Sequence, residues 1–360
     1  MFHYASLSSL LSSSLLNNKH DIAIGLALFC SITIMMLPIA PVESMTMLRV
    51  ASWNLLAQDY VKEYKYPWTK DTPGCLEWNY RKQKIAEWLL DEEMKPPDVV
   101  CLQEAQIDLF SDLLSSLSPT FDGVIQNTTS DHNVGTAVLV RNSCPVKIKR
   151  MESRSRALIV TLEDKQQNDN NLYLCSVHLD ADKSHDPKTR QKNQDQRQCQ
   201  LKSLLKRINF QCKLDEQQIK ESSVLIAGDF NMLRENPLHL SLMEGTVSPS
   251  AHVLLQDAYM EAERNKRPSI PVYQQHQQES SPGEETNIQQ QQQKNDSHQL
   301  NLAKTYKGGA ILDYIWTSEK IKVLDTLLYH PRSSIMGMEK WPSAEHPSDH
   351  IPIGIDMEWN

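Results

Sequence analysis

VLIAGDFN, at residues 224–231, is the stretch that decides the fold of this chain. Its short aliphatic run predicts a buried β-strand, because such runs bounded by a turn residue are typical of strands inside a sheet. Asp229 follows directly after Gly228, and Asn231 lies two residues further on. Packing alone gives no reason for polar side chains at the end of an apolar strand. The tripeptide SDH at 348–350 shows the same feature beside another apolar run. Both motifs therefore indicate polar groups presented at the ends of buried strands.

Seven further apolar runs are similar to the first and also predict strands. They cover residues 48–54, 98–104, 135–140, 157–162, 172–179, 311–317 and 351–357. Helical patterns are predicted over residues 79–94, 106–117 and 194–209. Strands and helices alternate irregularly. The sequence therefore predicts an α/β sandwich of two sheets faced by helices rather than a regular doubly wound sheet.

The composition is that of an ordinary globular protein. The 360 residues are 40% hydrophobic and 23% charged, which excludes a wholly disordered chain. Only one segment is long and apolar enough to cross a bilayer, which excludes a multi-pass channel or transporter. Acidic residues outnumber lysine and arginine by 45 to 37, for a net charge of −8. Any binding of nucleic acid must therefore use a local basic surface. Seven cysteines without a CxxC pair indicate buried thiols rather than a disulfide framework or a zinc ribbon.

The chain divides into an N-terminal hydrophobic extension, residues 1–44, and one large domain, residues 45–360. The uncharged segment 22–42 is either a signal peptide or a membrane anchor, and the latter implies membrane association. Alternatively, translation starts at Met45 or Met47, and the extension is not part of the working protein. The compartment follows from this choice: a membrane or the secretory pathway if the segment is translated, and otherwise the cytoplasm.

A glutamine-rich segment at residues 268–300 interrupts the large domain. It is also punctuated by proline, and such sequence buries too little apolar surface to offset the entropy of ordering it. We therefore predict a disordered insertion. A tolerated loop is favoured over a partner-binding element, because connecting loops commonly accept such insertions.

Polar residues that can bind metal or move protons lie at the ends of several predicted strands. They are Asn54, Glu104, His178, Asp229 with Asn231, Asp313, and Asp349 with His350. One such residue beside a strand is commonplace, but six strands that each present one indicate a single cleft. Taken singly, each has a structural alternative: Asn54 caps a turn, Glu104 begins a helix, and His178 belongs to the core.

These motifs resemble a known superfamily in both type and order. ASWNLLAQDY, WNYRKQKIAEWLL, PPDVVCLQE, SVHL, AGDFN, LDYIWTS and HPSDHIPI are similar to motifs of the endonuclease/exonuclease/phosphatase superfamily. Within it, the chain most resembles poly(A) nucleases of the carbon catabolite repressor 4 type, with nocturnin and angel as sister groups. The resemblance covers residues 48–358. It implies a DNase I-like fold, a four-layer α/β sandwich of two stacked mixed β-sheets flanked by helices, and makes residues 45–360 the catalytic domain.

The resemblance also implies a metal site. Glu104 would bind Mg²⁺ with help from Asn54, and Asp349 would add negative charge on the metal side. Such a cation neutralises charge on phosphoryl oxygens and activates water. Oxygen ligands without cysteine favour Mg²⁺, or Mn²⁺, over zinc.

The same resemblance assigns the chemistry to five residues. Asp229 and Asn231 would orient the attacking water and the phosphate. His350 would lie at the scissile phosphate with its imidazole held by Asp313, and a histidine paired to an aspartate stays protonated more readily. His178 would donate a hydrogen bond to a phosphate oxygen.

Substrate contacts are expected from a basic run that follows His178 and from one aromatic residue. Residues 183–207 are rich in basic side chains, among them Lys188, Arg190, Lys192 and Arg197. The run is either a solvated helix face or a track for a phosphate chain. Tyr306 lies in an aromatic-Lys-Gly element like that of poly(A) nucleases and would stack on a base, although extra residues separate it from Asp313.

The leading interpretation is a Mg²⁺-dependent phosphodiesterase that acts on RNA, as a 3′-to-5′ exoribonuclease on poly(A)-like ends. The main alternative is a phosphatase or phosphodiesterase on a small nucleotide, inositol phosphate or sphingolipid, which a membrane anchor would favour. The second alternative is a non-catalytic RNA-binding scaffold, which has no need of the candidate catalytic residues. Without leucine-rich repeats before the domain, docking to a deadenylase complex through such repeats is not implied, and we expect a monomer.

The phosphate-track hypothesis predicts a selective effect of charge reversal. Changing Lys188, Arg190 and Lys192 together to glutamate should raise the KM for an oligonucleotide far more than the KM for a mononucleotide, and added salt should mimic the change. Each lost phosphate contact also lowers the slope of log affinity against log salt by about 0.7 for a single strand. Steady-state kinetics over a salt series measure both effects. An equal loss for both substrates would indicate a solvated helix face.

Overall fold

The computed structural model describes residues 45–92, 95–127, 133–166, 170–182, 186–265, 270–271, 305–307, 309–329 and 340–359. The predicted extension 1–44 lies outside these ranges, as does the glutamine-rich segment 268–300 apart from residues 270–271. Both assignments, and the membrane association through residues 22–42, stay predictions. None of the helices in the described ranges has the length and apolar character needed to span a bilayer.

Apolar runs form thirteen strands in the described part of the chain. They are β1 (Thr46–Asn54), β2 (Val99–Gln106), β3 (Phe121–Ile125), β4 (Val134–Arg141), β5 (Val146–Arg154), β6 (Ala157–Asp164), β7 (Asn171–His178), β8 (Ser223–Asp229), β9 (Leu255–Asp257), β10 (Ile270–Pro271), β11 (Asp313–Ser318), β12 (Ile321–Leu328) and β13 (Ile353–Trp359). All eight predicted strands are among them. The sequence did not predict β3, β5, β9, β10 or β12. In β5, lysines and arginines alternate with the apolar residues and interrupt the run.

Within the described ranges these strands form two mixed sheets. One sheet has the order β10-β12-β13-β1-β2-β4-β3, and the other has the order β5-β6-β7-β8-β11-β9. β1 runs parallel to β2 in the seven-stranded sheet, and β7 runs parallel to β8 in the six-stranded sheet. The other long strands pair antiparallel.

Helices cover the outer faces of both sheets. The described α-helices are α1 (Trp78–Leu90), α2 (Ile107–Leu117), α3 (Pro187–Leu214), α4 (Pro237–Met243) and α5 (Ala258–Arg264). Apolar side chains of α1 and α2 pack on the seven-stranded sheet, and those of α3 and α4 pack on the six-stranded sheet. Between the sheets, residues such as Val50, Val138, Leu174 and Leu225 form a further core layer. The predicted DNase I-like sandwich is therefore confirmed.

Local contacts set helix ends that differ from the predicted ones. α1 ends at Leu90 rather than at residue 94, and Arg141 of β4 donates a hydrogen bond to the Leu89 carbonyl in its last turn at 3.2 Å. α3 begins at Pro187, well before residue 194. The Asp186 side chain caps its first turn, and proline is favoured at that position because its missing N–H is not needed there.

Strand pairing brings the ends of separate strands to one place. His178 at the end of β7 lies opposite Asp229 at the end of β8, and Asp229 lies opposite Asp313 at the start of β11. In the other sheet, Asn54 ends β1 beside Glu104 of β2. Because β1 and β2 pack against β8 and β7, the two parallel pairs end side by side.

Gly228 allows the close approach of β7 and β8 at this point. Its φ is +149°, and a Cβ atom there would lie 2.0 Å from the Val177 carbonyl oxygen. Gly228→Ala should therefore lower the free energy of unfolding by about 3 kcal/mol or more, because main chain cannot give way as a side chain can. Urea unfolding followed by circular dichroism measures the loss.

Gly309→Ala is the matched control for this substitution. Gly309 also has a positive φ, +80°, but no described atom lies within 4 Å of the added Cβ. Gly309→Ala should lower the free energy of unfolding by only about 1 kcal/mol, the effect of the backbone conformation alone. Equal losses in the two variants would contradict the steric role of Gly228.

Candidate active site

A buried histidine–aspartate pair forms one side of the site. His350 Nδ1 lies 2.9 Å from Asp313 Oδ2, and His350 Nε2 lies 3.7 Å from Asp229 Oδ2. The main-chain carbonyl of His350 accepts hydrogen bonds from the Trp53 indole at 3.0 Å and from His346 Nε2 at 2.7 Å. Both the ring and the backbone of His350 are thus fixed, while its catalytic role stays a prediction.

The charge of His350 follows from its neighbours. Burial lowers the pKa of the imidazole, but the charge and hydrogen bond of Asp313, with the charges of Asp229 and Asp349, raise it to about 10. His350 is therefore an imidazolium at neutral pH. It can neutralise charge on a phosphate bound beside it.

Asp229 is held at both of its carboxylate oxygens. Asn231 donates its main-chain N–H to Oδ1 at 2.9 Å, and Asn54 donates from Nδ2 to Oδ2 at 3.0 Å. Burial and the charge of Asp313 raise the pKa of Asp229 to about 6, although His350 and His178 act in the opposite direction. A carboxylate with a pKa near neutrality is suited to accept a proton from water.

His178 faces two carboxylates from the end of β7. Its Nε2 lies 3.8 Å from Glu104 Oε1 and 3.7 Å from Asp229 Oδ2, which is beyond hydrogen-bond distance. Burial lowers the pKa of His178 more than the charge of Asp229 raises it. The imidazole is therefore neutral at pH 7 and keeps one N–H with which to donate.

Glu104 enters the site through a distortion of β2. The pairing of β2 with β4 shifts at a bulge around Glu104, whose φ is +52°. Its Oε2 accepts the Ala57 N–H at 3.0 Å, and its Oε1 accepts a hydrogen bond from Asn54 at 3.3 Å. Burial and the negative charge of Asp349 raise the pKa of the carboxyl group. This unusual backbone conformation is typical of functional positions.

The carboxylates suit a hard divalent cation. Glu104 is largely buried beside the charge of Asp349, and a bound cation would relieve their repulsion. Side-chain atoms of Asp229, Asp313 and His350 also lie within 4.8 Å of one another, and Asp313 Oδ1 is buried without a hydrogen-bond partner among the described residues. Because the ligands are mostly oxygen atoms, they fit Mg²⁺ or Mn²⁺. Glu104 is the carboxylate that most favours an added cation, since the imidazolium of His350 already compensates Asp229 and Asp313. The expected part of Asp349 in the metal site stays a prediction.

Asn54 joins the carboxylates of the two sheets. Its Nδ2 donates to Asp229 and to Glu104, whereas its Oδ1 accepts the Leu56 N–H at 3.0 Å. The amide oxygen is thus engaged by the backbone, and the amide nitrogen holds both acidic side chains. The expected role of Asn54 as a metal ligand stays a prediction.

Asp349 and His350 have a lysine and two tyrosines beside them. Asp349 Oδ2 lies 3.2 Å from Lys307 Nζ and accepts a hydrogen bond from the Tyr66 hydroxyl at 3.4 Å. The ring centroid of Tyr306 lies 4.9 Å from that of His350. Tyr306 therefore lies at the site, as base stacking requires, while its contact with substrate stays a prediction. The glycine of its predicted element, Gly308, is outside the described residues.

The sequence argument missed Arg81, which holds two segments of the site together. From α1, its buried guanidinium donates to the carbonyls of Leu55 and Leu56 and, at 2.7 Å, to the carbonyl of Pro347. Burial lowers the pKa of Arg81 to about 10, which leaves the side chain charged. Its spacing was a signal that could have been used, because an arginine four residues before Ile85 lies on the apolar face of the predicted helix.

The expected phosphate-track residues divide into two groups. Lys188, Arg190 and Lys192 are exposed in the first turns of α3, as a track requires. Arg197 is buried, and it donates to the Asp180 carbonyl at 2.9 Å. This corrects the expectation for Arg197, because the face of α3 that carries it packs inward and uses the guanidinium to hold the loop after β7.

The fold and this cluster of buried carboxylates and histidines define a hydrolase that acts on phosphoester bonds. Residues 51–350 match the model of the Endonuclease/Exonuclease/phosphatase family, and the chain belongs to that family. Its members hydrolyse phosphoesters with divalent metal ions. The interpretation as a non-catalytic scaffold is therefore set aside.

Similar proteins agree with the predicted group. Carbon catabolite repressor protein 4 homolog 4 of Arabidopsis thaliana is 26% identical over 356 residues, which cover 86% of this chain and 77% of the plant protein. The CCR4-Not complex 3′-5′-exoribonuclease subunit Ccr4 of Schizosaccharomyces pombe is 21% identical, and the match covers 84% of this chain but only 48% of that subunit. The crystal structure of ANGEL2, a 2′,3′-cyclic phosphatase, superimposes with a TM-score of 0.59 at 18% identity, covering 88% of this chain and 96% of that one. The predicted resemblance is confirmed.

Asp313→Asn tests whether Asp313 sustains the charge of His350. Losing the carboxylate removes the interactions that raise the pKa of His350, so the imidazolium should lose its proton at lower pH. The basic limb of the pH profile of kcat/KM should then move to lower pH, and kcat should fall by about 10²-fold or more. Steady-state kinetics across the neutral and alkaline range measure both changes.

Asp257→Asn is the matched control, because Asp257 belongs to a second buried pair, with His239 Nε2 at 3.2 Å from its Oδ2. This variant should lose stability and keep the wild-type pH profile. An unchanged profile in Asp313→Asn would mean that Asp313 does not act through His350. The His350–Asp313 pair also stabilises the fold: its contribution is complete below the unfolded-state pKa of His350 and is lost as the pH rises through about 10.

Proposed function

We propose that this chain is a Mg²⁺-dependent phosphodiesterase that hydrolyses RNA, as a 3′-to-5′ exoribonuclease on poly(A)-like ends. The observation that carries the proposal is the row of His178, Asp229 and Asp313, with His350 paired to Asp313 and Glu104 on the opposite sheet. This group of residues combines carboxylates that can accept a proton or bind a metal ion with the positively charged imidazolium of His350. The yeast relative named as a 3′-5′-exoribonuclease supports the choice of RNA.

Asp229 would take the proton of the attacking water. Its two oxygens are held by Asn231 and Asn54, so the carboxylate keeps one orientation while the water oxygen bonds to phosphorus. The bond from phosphorus to the 3′ oxygen of the preceding nucleotide then breaks, and that oxygen takes up a proton from solvent to become the new 3′ hydroxyl. Each cycle would release one nucleoside 5′-monophosphate from the 3′ end.

The two histidines would stabilise the charge that develops on the phosphate. His350, which Asp313 holds in place, contributes a positive charge, and neutral His178 contributes one N–H donor. A divalent cation held by Glu104 and Asp349 would neutralise a further phosphoryl oxygen and make the water more acidic.

Two surface features support a nucleic-acid substrate over a smaller phosphoester. Tyr306 presents a half-buried ring next to His350, and aromatic rings beside a nuclease site bind bases by stacking. Exposed Lys188, Arg190 and Lys192 provide positive charge on an otherwise acidic protein. Both contacts come from a single chain, so the proposal requires no second subunit. The expected monomeric state stays a prediction.

A second candidate is the hydrolysis of nucleoside 2′,3′-cyclic phosphates. The ANGEL2 structure, which shares this fold, is described as that of a 2′,3′-cyclic phosphatase bound to adenosine-2′,3′-vanadate. Both reactions place a phosphorus atom next to a ribose. A cyclic phosphate lacks the upstream phosphates that exposed basic residues would contact.

A substrate panel tests the proposal. The purified full chain is incubated with 5′-labelled oligoadenylate, adenosine 2′,3′-cyclic phosphate, an inositol phosphate and sphingomyelin, in Mg²⁺ and in EDTA. We expect stepwise shortening of oligoadenylate only with Mg²⁺. Glu104→Gln should abolish this activity while the chain still folds, because the amide keeps one accepting oxygen and the neutral side chain no longer repels Asp349.

Glu358→Gln is the control, since Glu358 pairs with the exposed Lys322 at 3.0 Å on β13. It should retain wild-type activity. Full activity in EDTA or in Glu104→Gln would contradict the metal site. Hydrolysis of the cyclic phosphate alone would favour the second candidate, and hydrolysis of sphingomyelin or an inositol phosphate alone would favour a small-substrate enzyme.

A further inference from the structure

Lys307 directs its ammonium group toward Asp349, on the side of the site where a metal ion is expected. Lys307 Nζ lies 3.2 Å from Asp349 Oδ2, 4.1 Å from the centroid of the Tyr66 ring and 5.8 Å from that of Tyr306. Only 21% of the Lys307 side chain and 10% of the Asp349 side chain are exposed. Such a partly buried, ring-flanked ion pair is stronger than an exposed one, because solvent screens it less.

The backbone fixes this arrangement. Lys307 donates its main-chain N–H to the Asp349 carbonyl at 2.9 Å, and the neighbouring Tyr306 forms a β-bridge with His350. Ile351 donates in turn to the Thr305 carbonyl at 3.0 Å. The segment that carries Lys307 therefore runs beside the SDH motif, and the ion pair is part of the folded site.

The charges around Asp349 show the electrostatic role of the Lys307 ammonium group. The Tyr66 hydroxyl donates to Asp349 but stays un-ionised, because burial and Asp349 raise its pKa. Asp349 also repels the buried carboxylate of Glu104. Among the described residues, Lys307 is the cation in ion-pair contact with Asp349, so its ammonium offsets negative charge where the proposed function requires a divalent cation.

We propose that Lys307 is the resident counter-ion of Asp349, which a divalent cation must displace before it can use this carboxylate. Lys307 thereby sets the affinity of the site for metal. The inference rests on the metal site of the proposed function. It differs from a purely structural role, in which removal of the lysine would leave metal affinity unchanged or weaken it.

The two tyrosine rings give the displaced ammonium a place to remain. The face of an aromatic ring attracts a cation, and the Tyr66 ring already lies within the usual range of such contacts. Displacement from Asp349 therefore requires only a small movement of Nζ. The lysine weakens metal binding without closing the site.

Metal binding without substrate tests the proposal. The Kd of the full chain for Mn²⁺ is measured from the electron paramagnetic resonance signal of the free ion, for wild type, Lys307→Met and Lys307→Gln. Lys307→Met should bind Mn²⁺ about tenfold more tightly, because a charge-assisted hydrogen bond no longer competes for Asp349. Lys307→Gln should lie between, since it keeps a donor and loses the charge. If Lys307→Met does not fold, Lys307→Gln carries the test.

Lys340→Met is the matched control, because Lys340 lies over the Trp68 ring at 5.7 Å and is exposed. Its Kd should equal that of the wild type. An unchanged or raised Kd in the folded Lys307 variants, while Glu104→Gln still removes Mn²⁺ binding, would overturn the role of Lys307 and leave the metal site intact. If Glu104→Gln binds Mn²⁺ as the wild type does, the metal site of the proposed function itself fails.

Discussion

β8 lies between β7 and β11, and its hydrogen bonds on both sides place Asp229 beside His178 and beside Asp313. Side chains alternate between the faces of a strand, so a slip of one residue in either pairing would turn these groups away from one another. The tight contact at Gly228 helps to fix that register. The orientation of His350, which Asp313 holds, and the bridge that Asn54 makes to Asp229 both depend on this row.

A site with this many buried carboxylates is stable only because its charges are compensated. Isolated carboxylates are costly to remove from water, and each one here is paired or hydrogen-bonded. His350 compensates Asp313 and Asp229, and Lys307 compensates Asp349. Glu104 has only hydrogen bonds from Ala57 and Asn54, which explains why it is the carboxylate that most favours an added cation.

Eight of the thirteen described strands, and the polar residues at their ends, could be predicted from sequence, since continuous apolar runs and abrupt polar termini are local signals. β5 was missed because its alternating lysines and arginines resemble a solvated segment. Arg197 shows a further limit, because the identity of a charged side chain does not by itself reveal that it packs inward. For Arg81, the four-residue spacing from Ile85 did carry that signal. The contact between Lys307 and Asp349 depends on how distant segments meet, and no local pattern carries that information.

The guanidinium of Arg81 couples the stability of two segments of the site. It binds the loop after β1 and the segment before SDH through a single side chain on α1. A fluctuation that lifts α1 from its sheet therefore releases both segments in one event. The two segments and the packing of α1 are therefore coupled, so a change that loosens this helix disturbs both sides of the site together.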